Sequence, residues 1–517
     1  MARCLRYALV LTGLLNLGLT GACAAPPVLD AAALSARIDE IIGARLAKDK
    51  VPPAPAADDA EFFRRLSLDL NGRIPTLAQL ADFLDDTRPD KRRLWTDELI
   101  DGPDNAPLYV RHFTHFWRRQ LLAQTAAQGD GVVAPLESWL GKQVKANTPY
   151  DRLVRGVLTD PEAVGFFLAN ENRPEDLAGR TSRLFLGVKL ECAQCHDDRS
   201  GGSWKRTQFW EYAAFFTGLR PDEGTSGVVV APRGQKVGRA RIQVGGSATW
   251  VEARFLDGGN PDGQRDVTPR QALAEWITRG DNPWFARAAV NRLWHYFFGL
   301  GLIDPVDGLG AADNTPSHPE LLGELVRQFV AHDFDLKYLI RAIAGSQTYQ
   351  RSSRQTRPRQ AEPRLFARAA SRALTPEQLY DSLVLATGYR PEPVRAAASG
   401  PVGAESAQAV FLAPFDDPNS QPVDYQASIQ QALMMMNGKL TEEATDPAKG
   451  AAVAAVIASR RPLARRIEEL YLVTLSRKPR AEETRRLLDY ASSRDSKQAL
   501  RDILWSLLNS TEFVLNH

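Results

Sequence analysis

Cysteine is scarce in this chain of 517 residues, which contains only Cys4, Cys23, Cys192 and Cys195. A small secreted scaffold held together by several disulfides is therefore excluded. An excess of charge of either sign is also lacking, since 64 Lys and Arg face 62 Asp and Glu. A protein of this size that binds nucleic acid usually carries a clear basic excess, so we expect no nucleic-acid partner.

Long apolar runs are absent except near the N-terminus. There, Arg3 and Arg6 precede the apolar stretch 7–19, and small residues surround Cys23. This order is typical of a secretory signal peptide, which we predict over residues 1–24. The mature protein is then exported to the periplasm or the extracellular space and has no transmembrane segment. Lipoprotein anchoring at Cys23 is a weaker alternative, because the branched residue of the lipoprotein motif lies one position too far away.

Helical periodicity dominates the rest of the chain, and the predicted fold class is mainly α, with two helical blocks separated by a small β-rich insert. Capping boxes, in which a Ser or Thr precedes a Glu or Gln by three residues, mark helix starts at Thr76, Thr268, Ser317 and Thr375. The predicted divisions are a short helix and Pro/Ala linker at 25–58, a helical block at 59–218, the β-rich insert at 219–262 and a second helical block at 263–517.

The segment Glu191-Cys-Ala-Gln-Cys-His196, at the end of a helix predicted over 174–192, contains the Cys-x-x-Cys-His pattern of c-type haem attachment. Two intervening residues place the thiols of Cys192 and Cys195 along one edge of a porphyrin, and the adjacent His196 reaches the iron. We therefore predict one covalently bound haem c, with His196 as iron ligand, serving redox or electron transfer with an unknown redox partner.

Two other interpretations of this motif stay open. Cys192 and Cys195 could form a local disulfide, or they could join His196 and a carboxylate of Asp197 or Asp198 in a Zn²⁺ site. In either case the chain would be a non-catalytic exported binding or scaffold protein with an unidentified ligand.

A second axial ligand for the iron is not obvious. The only methionines after the signal peptide are at 434–436, and no Met, His or Cys lies between His196 and His295. His112 and His115, three residues apart on one predicted helix face, are the best candidates for the distal ligand. The alternative is that they belong to an aromatic-rich core face with Phe113, Phe116 and Trp117. Weaker candidates are Lys205, His295 and His318. Without any of these the iron would be five-coordinate and could bind or reduce a small ligand.

A second polar group follows in the C-terminal block. Asn291 and His295 share a helix face, and Asp307 and Asp313 lie in the glycine-containing loop that follows. Together they are a candidate polar pocket for a ligand, a cation or weakly supported hydrolase chemistry. The alternative is that His295 is a hydrogen-bonded core residue and that the acidic residues cap helices.

These motifs, taken together, resemble planctomycete-type exported proteins that join a cytochrome-C-like domain to a planctomycete-specific C-terminal domain, both of unknown function. The resemblance covers nearly the whole mature chain and implies the same two-domain order here. Family members often continue the motif as His-Asp-His-Pro-Phe, whereas Asp198 replaces the second histidine in this chain, so any role of that histidine is lost or changed. The matching segments are 63–75, 111–112, 184–196, 213–216, 281–295, 299–304, 316–322, 346–351 and 508–517.

Overall fold

The computed structural model describes most of the chain after the predicted signal peptide. The described residues are 27–122, 130–197, 204–218, 220–221, 229–230, 240–261, 267–311, 314–390, 407–412, 434–436 and 438–517. The segment 1–24, Asp198 and Asp313 lie outside them. Among the described residues, no helix has both the length and the apolar character that crossing a membrane requires.

Helices make up most of the described structure, which confirms the predicted mainly α fold class. In chain order they are α1 Ala31–Lys48, α2 Asp59–Asn71, α3 Leu77–Asp85, α4 Lys91–Asp101, α5 Ala106–Leu121, α6 Asp130–Lys145, α7 Tyr150–Thr159, α8 Gly165–Leu168, α9 Pro174–Leu186, α10 Arg206–Ala213, α11 Pro269–Ile277, α12 Phe285–Phe298, α13 Pro319–Ala331, α14 Leu336–Gly345, α15 Pro376–Thr387, α16 Ala407–Leu412, α17 Lys439–Thr445, α18 Ala451–Ala458, α19 Leu463–Leu475, α20 Ala481–Ser492, α21 Ser496–Leu508 and α22 Thr511–Val514.

The strands are short and pair as antiparallel two-stranded sheets. In the predicted β-rich insert, β1 Arg220–Pro221 pairs with β2 Val229–Val230, and β3 Arg241–Gln243 pairs with β4 Trp250–Glu252. A third sheet joins distant parts of the chain, since β5 Arg372–Ala373 pairs with β6 Leu515–Asn516. Short 3₁₀ turns lie at Pro161–Ala163, Glu191–Ala193, Ala214–Phe216, Pro358–Ala361 and Pro363–Leu365.

Three of the four predicted capping boxes are present, at Thr76, Thr268 and Thr375. The prediction at Ser317 is wrong, because His318 is the N-cap residue of α13 and makes no side-chain cap bond. Its ring Nδ1 lies 3.1 Å from the Ser317 hydroxyl, and Glu320, which would complete the box, accepts a hydrogen bond from Arg37 instead.

Two hydrophobic clusters form the core, and α2 contributes to both. The larger cluster runs from Leu34 to Ala367 and includes Phe62, Phe63 and Leu66 of α2. The smaller one includes Leu68 of α2, Ile74 and residues from Leu374 to Phe513. The predicted C-terminal block therefore supplies residues to both clusters. Because α2 lies between them, every residue from 62 to 71 is buried.

Burial of α2 on all sides encloses three charged side chains, whose partners come from distant segments. Arg64 donates to the carbonyl oxygens of Thr474 at 2.9 Å and Phe513 at 3.0 Å. Arg65 donates to the carbonyl oxygens of Tyr349 and Arg351 at 2.6 and 2.9 Å. Since an unpaired buried charge costs several kcal/mol, these bonds are required for α2 to occupy this position.

Asp69, the third charged residue, has 1 % of its surface exposed and accepts bonds from three side chains. The Arg372 guanidinium lies 2.8 Å from Oδ1 and 3.0 Å from Oδ2. The Tyr349 hydroxyl donates to Oδ2 at 2.8 Å, and the Asn516 amide donates to Oδ1 at 2.7 Å. This carboxylate therefore fixes the β5–β6 sheet against α2.

We expect Asp69→Asn to lower the free energy of unfolding by about 3–5 kcal/mol, because the buried Arg372 guanidinium loses its counter-charge. Urea unfolding followed by circular dichroism measures the change. The matched control is Asp489→Asn, at an exposed position of α20, where we expect a change within about 0.5 kcal/mol. Equal stability of the two variants would contradict this account of Asp69.

Gly72, which ends α2, is required for two reasons. Its φ of +70° lies in the left-handed region, and a Cβ built on it would lie 2.4 Å from Nδ1 of His112. We expect Gly72→Ala to destabilise the protein by about 2 kcal/mol or more in the same assay. Gly323→Ala is the control, since no atom lies within 4 Å of its built Cβ in α13, and there we expect about 0.5–1 kcal/mol of stabilisation.

Candidate functional site

The helix that precedes the Cys-x-x-Cys-His motif is shorter than predicted. It was expected over 174–192, but α9 ends at Leu186 because Gly187 adopts a left-handed φ of 64°. The chain then crosses to the C-terminal block, where Val188 forms a β-bridge with Gly308 and the Leu309 amide donates to the Gly187 carbonyl at 2.9 Å. The motif therefore begins as a new turn, positioned by residues on both sides of the β-rich insert.

The motif itself is one helical turn with its thiols on the outside. Glu191–Ala193 is a 3₁₀ turn, and Gln194 continues it with helical φ and ψ of −62° and −43°. Cys192 and Cys195 are free and exposed. Residues three apart in such a turn lie on the same side, so both sulfurs point toward one external region.

His196 is also exposed, and its Nδ1 lies 2.9 Å from the carbonyl oxygen of Asp197. If this bond is N–H···O, the imidazole is the tautomer that keeps a lone pair on Nε2. A histidine held in this way is the usual arrangement for an iron or zinc ligand.

The inner side of the turn is packed against α10. The Trp210 indole donates to the Gln194 carbonyl at 3.1 Å, and the Arg206 backbone amide donates to Asp197 Oδ1 at 2.8 Å. Trp210 and the neighbouring Phe209 are buried, with 7 % and 0 % of their surface exposed. Any group bound by Cys192 and Cys195 must therefore lie on the outer side of the turn.

A chain of charged groups connects the turn to α12. Glu191 Oε1 lies 2.7 Å from the Arg183 guanidinium, which lies 3.9 Å from Asp307. Asp307 in turn pairs with Arg292 at 2.8 Å, and both side chains are buried. Burial raises the pKa of Glu191, although the charge of Arg183 opposes the shift.

The two predicted distal ligands make contacts within the protein. His112 Nε2 lies 2.6 Å from the Tyr296 hydroxyl, which donates its own proton to the Asp69 carbonyl at 2.7 Å. Nε2 of His112 must therefore carry the hydrogen in the neutral ring. His115 Nε2 pairs with Glu137 at 3.2 Å. Nε2 of both histidines is therefore engaged in contacts within the protein.

The structure brings together only part of the predicted polar pocket. Asn291 binds the backbone of the loop that follows α12. Its side-chain amide donates to the Ile303 carbonyl at 2.8 Å, and its Oδ1 accepts from the Ile303 amide at 2.9 Å. His295 is buried in α12, and Asp307 faces Arg292. Asp313 lies outside the described residues.

Two further sequence candidates lie at the starts of helices. Lys205 is the exposed N-cap residue of α10, and His318 is buried at the start of α13. Burial lowers the pKa of His318 to about 4. Within the described ranges, no three His, Cys, Asp or Glu side chains are arranged to hold a metal ion.

Sequence reasoning missed a polar cleft of about 290 Å³ beside the motif. It lies between α9 and the turn, and its walls include Asp176, Arg180, Arg183 and Glu191. The spacing of Asp176, Arg180 and Arg183 on one face of α9 was the only signal in the sequence.

We expect His112 to make the protein sensitive to acid. Burial, with the nearby charge of His115, lowers the pKa of His112 to about 3, so the unfolded chain takes up this proton first as the pH falls. The neutral ring of His112 therefore stabilises the folded protein fully above pH ~6.5, and this contribution to the free energy of unfolding is lost toward pH ~3. The loss is on the order of a few kcal/mol. Unfolding free energies measured from pH 8 to 4 should fall less steeply in His112→Gln, and parallel curves would contradict the assignment.

Comparison with known proteins finds two family models that match parts of the chain. Residues 37–221, which include the Cys-x-x-Cys-His turn and the cleft, match the family model described as PSCyt2, a protein of unknown function (DUF1549). Residues 269–399, which include Asn291, His295 and Asp307, match the model described as PSD1, a protein of unknown function (DUF1553). No curated protein and no solved structure matches the chain. We call these two matched ranges the DUF1549 segment and the DUF1553 segment.

Proposed function

We propose that this protein is exported and binds one haem c through Cys192, Cys195 and His196, for redox or electron transfer with a partner that is still unknown. The observation that carries the proposal is the single exposed turn that presents two free thiols and an imidazole with its Nδ1 on a backbone carbonyl. The predicted signal peptide supports it as well, because covalent haem attachment takes place outside the cytoplasm.

The residues of the turn fit this cofactor in their chemistry. Two thiols on one side of a turn can form thioethers to one porphyrin edge, and His196 Nε2 is the atom that would bind iron. Haem, when bound, would supply one-electron chemistry. Hydrogen bonds from Trp210 and Arg206 fix the inner side of the turn to α10, so the attachment residues keep their relative positions.

The distal side is where this protein would differ from a bis-histidine cytochrome. Nε2 of His112 contacts the Tyr296 hydroxyl, and Nε2 of His115 pairs with Glu137. We therefore expect the sixth position to be open or to hold an exchangeable ligand.

A second candidate is a non-catalytic binding protein in which the thiols form a local disulfide. Cysteines three residues apart in one turn are close enough for such a bond, and both are exposed to an oxidant. The cleft next to the turn would then be the functional part of the molecule.

Mass spectrometry separates the two proposals. The mature chain, produced with the haem-attachment machinery in the periplasm of a bacterial host, is expected to gain one haem on the peptide containing Cys192 and to show a reduced c-type spectrum. Cys192→Ser should lose one thioether and most of the bound haem. Gln194→Ala is the matched control, because only its backbone carbonyl supports the turn, and it should keep the haem.

A Cys192-containing peptide that is two hydrogens lighter than the dithiol, with no haem adduct, would contradict the haem proposal and support the disulfide. A dithiol peptide with stoichiometric zinc would instead assign the motif to a metal site.

A further inference from the structure

Arg180 is a half-buried cation in the wall of the cleft. Within the described part of the chain, its guanidinium makes neither a hydrogen bond nor an ion pair. The other two arginines of this region are paired, Arg173 with Glu175 at 3.1 Å and Arg183 with Glu191 at 2.7 Å. Because a partly desolvated guanidinium is costly without an anion, this cation in a cleft wall points to an external acceptor.

Glu191 offers the complementary group on the opposite wall of the cleft. Its Oε1 pairs with Arg183, whereas Oε2 is buried and has no hydrogen-bond partner among the described residues. An unsatisfied buried carboxylate oxygen costs about 1–3 kcal/mol, or more when it is charged. A hydroxyl group that donates to Oε2 would remove this cost.

Gly179 keeps these two groups close to each other. A Cβ at this position would lie 2.4 Å from Cγ of Glu191, so the missing side chain lets the turn pack against α9. Arg180 follows directly in the helix, and both residues line the same cleft of about 290 Å³. This volume is near the lower end for small-molecule sites.

The charges around the cleft limit the kind of anion that fits. Glu171, Glu175 and Asp176 also line it, and Arg173 is the cation that pairs with them. A multiply charged anion such as phosphate would be repelled by these carboxylates. A singly charged planar carboxylate matches the fork of one guanidinium and adds only one negative charge.

We propose that this cleft binds a small hydroxy acid, whose carboxylate accepts hydrogen bonds from Arg180 and whose hydroxyl donates to Oε2 of Glu191. The site needs no haem, so it extends the function beyond the proposal for the cysteine motif.

The test is isothermal titration of the mature chain with D-glucuronate, which has one carboxylate and several hydroxyls. We expect a dissociation constant of about 1 mM, as for a ligand of this size with ordinary binding efficiency. D-glucose, which lacks the carboxylate, and cyclohexanecarboxylate, which lacks the hydroxyls, should each bind roughly tenfold more weakly or worse.

Arg180→Gln should weaken glucuronate binding roughly tenfold to a hundredfold, and Arg180→Lys should weaken it less. The matched control is Arg152→Gln, which removes one exposed positive charge from α7 and should bind like the wild type. Circular dichroism checks that each variant is folded, and Arg180→Lys serves alone if Arg180→Gln is not.

Equal binding by wild type and the Arg180 variants would overturn the proposal, as would equal binding of glucose and glucuronate. Phosphate bound more tightly than glucuronate in an Arg180-dependent way would also overturn it. The titration is run on protein with and without attached haem, and we expect Arg180-dependent binding of glucuronate in both. Failure of haem attachment is therefore distinguishable from failure of this site.

Discussion

The fold depends on the burial of α2 between two hydrophobic clusters, with Arg64, Arg65 and Asp69 inside. Such charges are tolerated only where their partners are fixed, and here the partners are backbone carbonyls of residues 349, 351, 474 and 513 together with the guanidinium of Arg372. The helix therefore cannot occupy its place until segments separated by several hundred residues have arrived. This requirement explains why one short helix near the start of the chain organises both clusters.

The same coupling between distant segments positions the Cys-x-x-Cys-His turn. The strand-like segment before it pairs with Gly308 and Leu309 of the DUF1553 segment, and Glu191 reaches Arg292 of α12 through Arg183 and Asp307. The motif belongs to the DUF1549 segment, yet residues of the other segment hold the chain before it and pair with Arg183 behind Glu191. A turn held in this way has little freedom to rearrange, which suits a group that must present two thiols and an imidazole together.

Features that depend on neighbouring residues in the chain could be predicted from the sequence, and features that depend on tertiary contacts could not. The capping boxes at Thr76, Thr268 and Thr375 were predicted because each needs only residues three apart. The end of α9 was missed because apolar periodicity continues past Gly187, although a glycine at that point is a common helix terminator. The role of Asn291 depends on contacts with a loop that follows its helix, and the role of Arg180 depends on the lack of an acceptor within reach among the described residues. Sequence spacing carries no information on either. The cysteine motif was found because its chemistry requires a fixed spacing, whereas its support by Trp210 and Arg206 required the fold.

Glu191 connects the two proposed sites, since it precedes Cys192 in the chain and forms one wall of the cleft. A carboxylate bound at Arg180 would place an additional negative charge beside the turn. Negative charge close to a haem favours the more positive, oxidised iron and lowers the reduction potential. Occupancy of the cleft and the redox state of the motif would then be linked, and by reciprocity the reduced protein would bind the acid less tightly than the oxidised protein.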